Sequence, residues 1–299
     1  MFPLFDAHCD TASAIYGWDE LRNSSTHTDL LRGSAYSPRG QVYALWQQPG
    51  TSRLTLWGQL RNFLDELEKN ADIVALCRSY ADIKDTFAEN KQAALLSLEG
   101  VDLFGCSEEE LEKFAEAGVR IVHLCWNSDN VLCGAAMDSG KGLTEQGRAF
   151  VRKCAQLGLI IDLSHISDKA AWDILEMDCI PVMASHSNCR SLCDVPRNLS
   201  DELLSAISRT GGVVGLNLYP PFLGGRDLGL AKRHAEHMLR LCGEKNVCLG
   251  CDLDGVDDLP EGINGLEDMP YLRRELGFSE ELLDGIFFNN LMSFWEKTL

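Results

Sequence analysis

Basic residues are scarce in this chain: 27 Lys and Arg stand against 45 Asp and Glu, a formal net charge of −18. That shortage excludes a nucleic-acid binder, which needs cationic side chains to displace phosphate counterions. The acidity itself reads as solubility in the cytoplasm. Long apolar runs are also missing. Nothing approaches the ~20 residues that span a bilayer. No basic segment leads into an apolar core at the start, so no signal peptide is expected. GxSxG is lacking, which removes a serine mechanism. Gly224-Gly225 with Gly229 follow no phosphate-loop pattern. The run Asp252 to Asp258 is no calcium loop, because its sixth position is Asp257 and its twelfth Ile263.

Cysteine is not scarce. The 12 Cys are scattered, many in apolar runs (Cys9, Cys77, Cys125, Cys154, Cys179, Cys248). In a chain of 299 residues that pattern suggests buried reduced thiols rather than a disulfide framework. Cys248 and Cys251 form a CxxC without a second one, inside a strand-like run, so neither a zinc knuckle nor a redox pair is expected. His234 and His237, three apart on a helix, read as a solvated helix face.

The length suits one α/β barrel, and hydrophobic residues at 45% supply a core. Phe2 to Phe5 reads as a first strand, followed by a long turn-rich excursion over 11–40. Gln41 to Gln47 reads as a strand and 54–70 as a helix, with Leu56, Leu60, Phe63, Leu64 and Leu67 at helical spacing. Strands then alternate with helices: Ala93–Leu98, Val119–Trp126, Leu159–Ser164, Pro181–Ser185, Gly212–Leu218 and Asn246–Cys251. Ser107, Ser167 and Ser200 are N-cap candidates, Leu143-Thr144 opens another helix, and two closing helical segments start near Ser279. The strands are continuous apolar runs, the mark of a parallel sheet covered by helices. With no internal repeat or linker, the expectation is a single (β/α)8 TIM-type barrel domain over 1–299.

Polar residues fall at the strand ends. His8 and Asp10 alternate with Cys9, so they face one way. Other strands end in Glu99, His165, His186 and Asp252. A barrel brings all these ends to one rim. Packed without a cation, the three carboxylates would repel and raise one another's pKa values. A pair of divalent metals removes the conflict; zinc suits the donors best, with manganese, iron or cobalt as alternatives.

Several stretches carry a resemblance: Asp6-Ala7-His8-Cys9-Asp10, Leu98-Glu99-Gly100, Gly142-Leu143-Thr144 with Gly147, Ile161-Asp162-Leu163-Ser164-His165, Ala184-Ser185-His186-Ser187, Arg197-Asn198-Leu199, and Gly250-Cys251-Asp252-Leu253-Asp254-Gly255 followed by Pro260-Glu261-Gly262. Together they resemble the membrane (renal) dipeptidase family of zinc metallopeptidases, within the amidohydrolase-like barrel group, over nearly the whole chain. The resemblance implies that Glu99 bridges two zinc ions, with His8 and Asp10 completing one site and His165 and His186 the other. Asp252 would be the acid/base carboxylate, and Arg197 would hold the substrate's C-terminal carboxylate. A metal-bridging hydroxide would then hydrolyse a dipeptide to two amino acids. The partner is a small molecule rather than nucleic acid or membrane, and the resemblance extends to homodimers.

One position departs. Relatives have a substrate-contacting His where an ungapped reading puts Trp126, followed by Asn127. Indole donates one hydrogen bond but cannot shuttle a proton. His123 is nearby, but its strand parity points it toward the helices. Trp126 therefore opens a second expectation, the same metal centre acting on another small amide, lactone or ester. A non-catalytic binding protein on the same barrel is a third reading, disfavoured because every metal position is occupied by a competent residue.

Overall fold

The computed structural model describes residues 1–48 and 50–299. Eight parallel strands form the barrel. In chain order they are β1 (Leu4–Cys9), β2 (Arg39–Leu45), then, after a short β3 (Val74–Leu76), β4 (Gln92–Glu99), β5 (Val119–His123), β6 (Ile160–Asp162), β7 (Val182–Met183), β8 (Val214–Leu216) and β9 (Val247–Leu249). Around the barrel the order is β7-β6-β5-β4-β2-β1-β9-β8. The last gap closes where Ala184 N–H donates to Val213 O (2.9 Å) and Gly215 N–H donates to Ala184 O (2.8 Å). β3 lies off this circuit, with Val74 opposite Gln92 at the start of β4.

Both faces of the sheet are buried, which is why the strands read as unbroken apolar runs. One cluster fills the inside and lower end: Phe5, Val42, Leu95, Ile121, Ile160 and Met183, with Phe294 and Trp295 of the last helix (Asn290–Thr298). Phe5 packs its ring 6.0 Å from Trp295 and 6.4 Å from Phe87. The outer cluster joins the other strand face to the helices. Apolar packing at the lower end leaves only the opposite rim for polar groups.

Expected caps form. Ser107, Thr144, Ser167 and Ser200 each accept a hydrogen bond from the backbone N–H three residues on, satisfying donors that a helix start leaves open. Several strands are shorter than their apolar runs: Val119–Trp126 becomes Val119–His123, because the backbone turns away to form the rim. Val74–Leu76 and the helix Tyr80–Ala88 were not expected. The two closing segments after Ser279 form as Glu280–Asp284 and Asn290–Thr298, joined by a π turn over Gly285–Asn289; the helix Met269–Leu276 before them was not expected. All twelve cysteines are free; Cys179, expected inside, is exposed.

Candidate metal centre

β1 supplies the first two donors by a slip in register. Asp6 pairs with Gln41 but Cys9 with Tyr43, so three residues of β1 face two of β2. This bulge re-aims the side chains that follow it. Phe5 and Ala7 belong to the barrel interior; past the slip, Cys9 joins the outer layer and His8 turns inward. Glu99 ends β4, and its interior direction continues that of Ala93 and Leu95. His165 and Asp252 follow β6 and β9 with positive φ, 73° and 62°, a conformation that costs energy for residues other than glycine. His186 enters where a Cβ on Gly215 or Gly250 would collide with the Ser185 carbonyl.

All six expected rim residues converge, each no more than 7% exposed. His8 Nε2 lies 3.3 Å from Asp10 Oδ2, 3.7 Å from Glu99 Oε2 and 3.8 Å from Asp252 Oδ1. Glu99 Oε1 lies 2.7 Å from His165 Nε2 and 3.7 Å from His186 Nε2. The two oxygens of Glu99 thus face two donor groups. Glu99, His165 and His186 form one compact set and His8, Asp10 and Asp252 another.

These donors fit divalent cations. Among the described residues, Asp10 Oδ1 and His8 Nδ1 are buried without a hydrogen-bond partner. Burial, reinforced by Asp10 and Asp252, pushes the Glu99 carboxyl well above the ordinary range against the pull of His8 and Arg197. Burial likewise raises Asp252, with His8 opposing and Asp10 adding. Burial disfavours charge on His8, yet Glu99, Asp10 and Asp252 prevail and push it up to about 10. The cluster concentrates negative charge that needs positive charge at its centre. His165 and His186 are lowered instead, first by burial and then by neighbouring cations. Neutral imidazoles are what a metal accepts.

Outer partners orient the rings. His165 Nδ1 lies 2.8 Å from Asn127 Oδ1, and His186 Nδ1 lies 2.7 Å from Ser185 Oγ. With Nδ1 as donor, each Nε2 keeps its lone pair toward the cluster. Asn217 Nδ2 donates to Asp252 Oδ2 at 2.9 Å. Asn127 and Ser185 stood in the sequence beside residues already singled out; nothing in the sequence pointed to Asn217.

Above the donors opens a cavity of about 600 Å³. Arg197 lines it, buried, its guanidinium 5.3 Å from the Phe222 ring centre. Among the described residues it has no ion-pair partner, so it is available to an anion. Trp126 also lines the cavity, its ring 6.0 Å from that of His165 and 5.1 Å from that of Trp46.

Two expectations are corrected. His123 does not point toward the helices. It sits opposite Glu99 in the β4–β5 register and so shares the interior face. Its Nδ1 lies 3.0 Å from Leu98 O, its Nε2 lies 3.1 Å from Asp162 Oδ2, and its ring centre is 5.7 Å from those of His8 and His186. His234 and His237 are not a solvated face. His234 is 1% exposed, accepts from Cys189 N–H at 3.1 Å and has Nε2 3.3 Å from Leu223 O. His237 Nε2 lies 2.8 Å from Asp201 Oδ1. Both brace the segment that carries Arg197.

The chain is similar to known proteins. The family model described as membrane dipeptidase (peptidase family M19) matches residues 1–298. A Klebsiella pneumoniae protein, described as an uncharacterized protein in the pqqA 5′ region, is 33% identical over 270 residues, covering 83% of this chain and 99% of that one. A Schizosaccharomyces pombe protein described as an uncharacterized dipeptidase is 32% identical over 227 residues, covering 72% of this chain and 56% of that one. The crystal structure of a metallopeptidase from Rhodobacter sphaeroides, liganded with a phosphinate mimic of the dipeptide L-Ala-D-Ala, superposes with a TM-score of 0.91 at 24% identity, covering 100% of this chain and 99% of that one. At that identity the likeness speaks for the fold.

Proposed function

Because the chain belongs to the membrane dipeptidase family, peptidase family M19, we propose that it is a metal-dependent dipeptidase working through two zinc ions. The observation that supports this most is Glu99, with Oε1 2.7 Å from His165 and Oε2 3.7 Å from His8. In this reading His8, Asp10 and Glu99 would hold one ion, and Glu99, His165 and His186 the other. When bound, such ions polarise a carbonyl and lower the pKa of a water, so that a nucleophile exists at neutral pH. Arg197 holds the substrate's carboxylate through a planar fork suited to two oxygens. Asp252, steadied by Asn217 and raised by burial, receives the proton of the attacking water and delivers it to the leaving amine. The free thiols fit a reducing compartment, so cytoplasmic residence is part of the proposal.

The test is metal analysis with a dipeptide screen that includes D-residues at the C-terminal position. About two zinc equivalents per chain, removed by chelator together with turnover, is the expected result. A folded protein that binds no divalent metal overturns it. Trp126 favours a second reading, the same centre acting on another small amide, lactone or ester. Binding of zinc without turnover of any dipeptide shifts the weight there.

A further inference from the structure

The loops that follow β7, β8 and β9 are neighbours around the barrel, since β7 closes onto β8 and β8 pairs with β9. All three line the cavity. Arg197 comes from the first loop, Tyr219 and Phe222 from the second, and Asp257 from the third. Together they make one continuous wall. The Arg197 guanidinium lies 5.3 Å from the Phe222 ring centre, and Phe222 meets Tyr219 edge to face at 5.0 Å. Asp257 stands next to the Tyr219 phenol, whose pKa is raised first by burial and then by that carboxylate. Asp257 is exposed and both rings are half-buried, so a guest in the cavity reaches all three.

Five carboxylates line the cavity (Asp10, Glu99, Asp252, Asp254 and Asp257) and, among the described residues, a single guanidinium. Asp10, Glu99 and Asp252 belong to the candidate metal centre. Asp254 is engaged within the protein: its Oδ2 accepts from Thr11 Oγ1 at 2.6 Å and its Oδ1 from His27 N–H. Asp258, next along the chain, pairs with Arg226 at 3.0 Å. Asp257 alone of these has neither a metal to serve nor, among the described residues, an ion-pair partner. The wall thus carries a cation at one end, two aromatic rings along its length and an unpaired carboxylate at the other end.

We propose that this wall is the subsite for the side chain of the substrate's C-terminal residue, and that Asp257 selects a cationic one, lysine or arginine. The assignment rests on the dipeptidase reading. With the terminal carboxylate on Arg197, the side chain of the same residue starts beside Phe222. An aliphatic stem packs along Phe222 and Tyr219 while its charged head stays in water at Asp257. An acidic side chain would bring like charge to Asp257, and an apolar one would leave that carboxylate merely hydrated.

The test uses zinc-loaded full-length protein and dipeptides that share one first residue and end in Lys, norleucine or Glu, all of one handedness. Lys is expected to exceed norleucine, which has the same stem without the charge, in kcat/KM by ~3- to 5-fold, the range of an exposed ion pair. It should exceed Glu by about 10-fold or more, because repulsion adds to the lost attraction. Both ratios should shrink as salt is added. Asp257→Asn should bring the Lys-to-norleucine ratio to unity, and Asp257→Lys should turn the preference toward Glu. Asp258→Asn removes a neighbouring charge and should keep the ratio, which separates a local contact from the acidity of the whole rim. Turnover without a C-terminal preference for Lys, a preference that survives Asp257→Asn, or one lost equally in Asp258→Asn overturns the subsite and leaves the dipeptidase reading standing. If no dipeptide is cleaved, the dipeptidase reading fails instead. The subsite is then decided by calorimetric binding of two phosphinate dipeptide mimics, one ending in Lys and one in norleucine; tighter binding of the first supports it, and equal affinity or binding of neither overturns it.

Discussion

His123 lies opposite Glu99 in the parallel pairing of β4 with β5, and both side chains therefore enter the barrel. His123 forms part of the floor beneath the candidate metal centre, its ring edge-on to His8 at 5.7 Å. Asp162 stands behind it. Burial opposes charge on Asp162, but His123 and the amides of Ser164 and Ser185 hold its carboxyl well below the usual range. The same Asp162 Oδ1 that accepts from Ser185 N–H at 3.0 Å steadies the backbone leading to His186. The expected outcome for Asp162→Asn is a weakened hold on the His123 ring. It should appear as a lower melting temperature and a ~10- to 100-fold loss of zinc affinity, the usual range for a residue supporting a metal ligand. Competition with a chromogenic chelator measures it.

Glu99 stands in the most crowded carboxylate environment of the site. Glu99→Gln should abolish turnover and lower zinc stoichiometry below that of the parent. In metal-free protein the sign reverses: removing a buried carboxylate that Asp10 and Asp252 repel should raise the melting temperature. Paired thermal melts, with and without chelator, check both halves.

Asn127 touches His165 through a single 2.8 Å contact. Asn127→Ala frees the ring to rotate and to carry its proton on either nitrogen. Zinc affinity should fall ~10- to 100-fold, and excess zinc should restore much of the activity. Loss of activity that zinc does not restore would instead assign Asn127 to substrate contact.

Arg197 and Trp126 separate recognition from chemistry. Arg197→Ala should raise KM sharply for dipeptides with a free C-terminal carboxylate, and Arg197→Lys should recover it only in part, because a point charge does not reproduce the fork. C-terminal amides should respond little to either change. Trp126→His should raise turnover of ordinary dipeptides; unchanged rates on every substrate would remove Trp126 from the account of specificity.

His234, which is not among the candidate metal ligands, makes stability depend on pH. Burial lowers its pKa from 6.5 to about 4. The unfolded chain therefore binds the extra proton first, and stability falls as pH drops from about 6.5 toward 4. Each unit is worth ~1.4 kcal/mol, so the loss approaches about 3 kcal/mol. His234→Gln, which keeps a donor and an acceptor, should flatten that part of the stability profile relative to the parent in denaturant titrations.

The strand–helix rhythm, the serine and threonine caps and the polar residues ending apolar runs were all legible in the chain. They are local: periodicity, capping chemistry and the cost of a charge in a buried strand act within a few residues. His8, Asp10, Glu99, His165, His186 and Asp252 could be chosen on that basis, and a parallel barrel sends strand ends to a common rim. Register was not legible. Alternation counted from Phe5 would send His8 outward, and only the slip between Asp6 and Cys9 turns it in. Counting back from the end of an overlong strand misdirected His123, because β5 stops there. Nor could a linear reading see that Asn217 meets Asp252 or that His234 meets Cys189, since those contacts join residues 35 and 45 apart in sequence. Sequence alone singled out which residues could carry the chemistry. The pairing of strands, where one residue's offset reverses every side chain beyond it, decided which of them face one another.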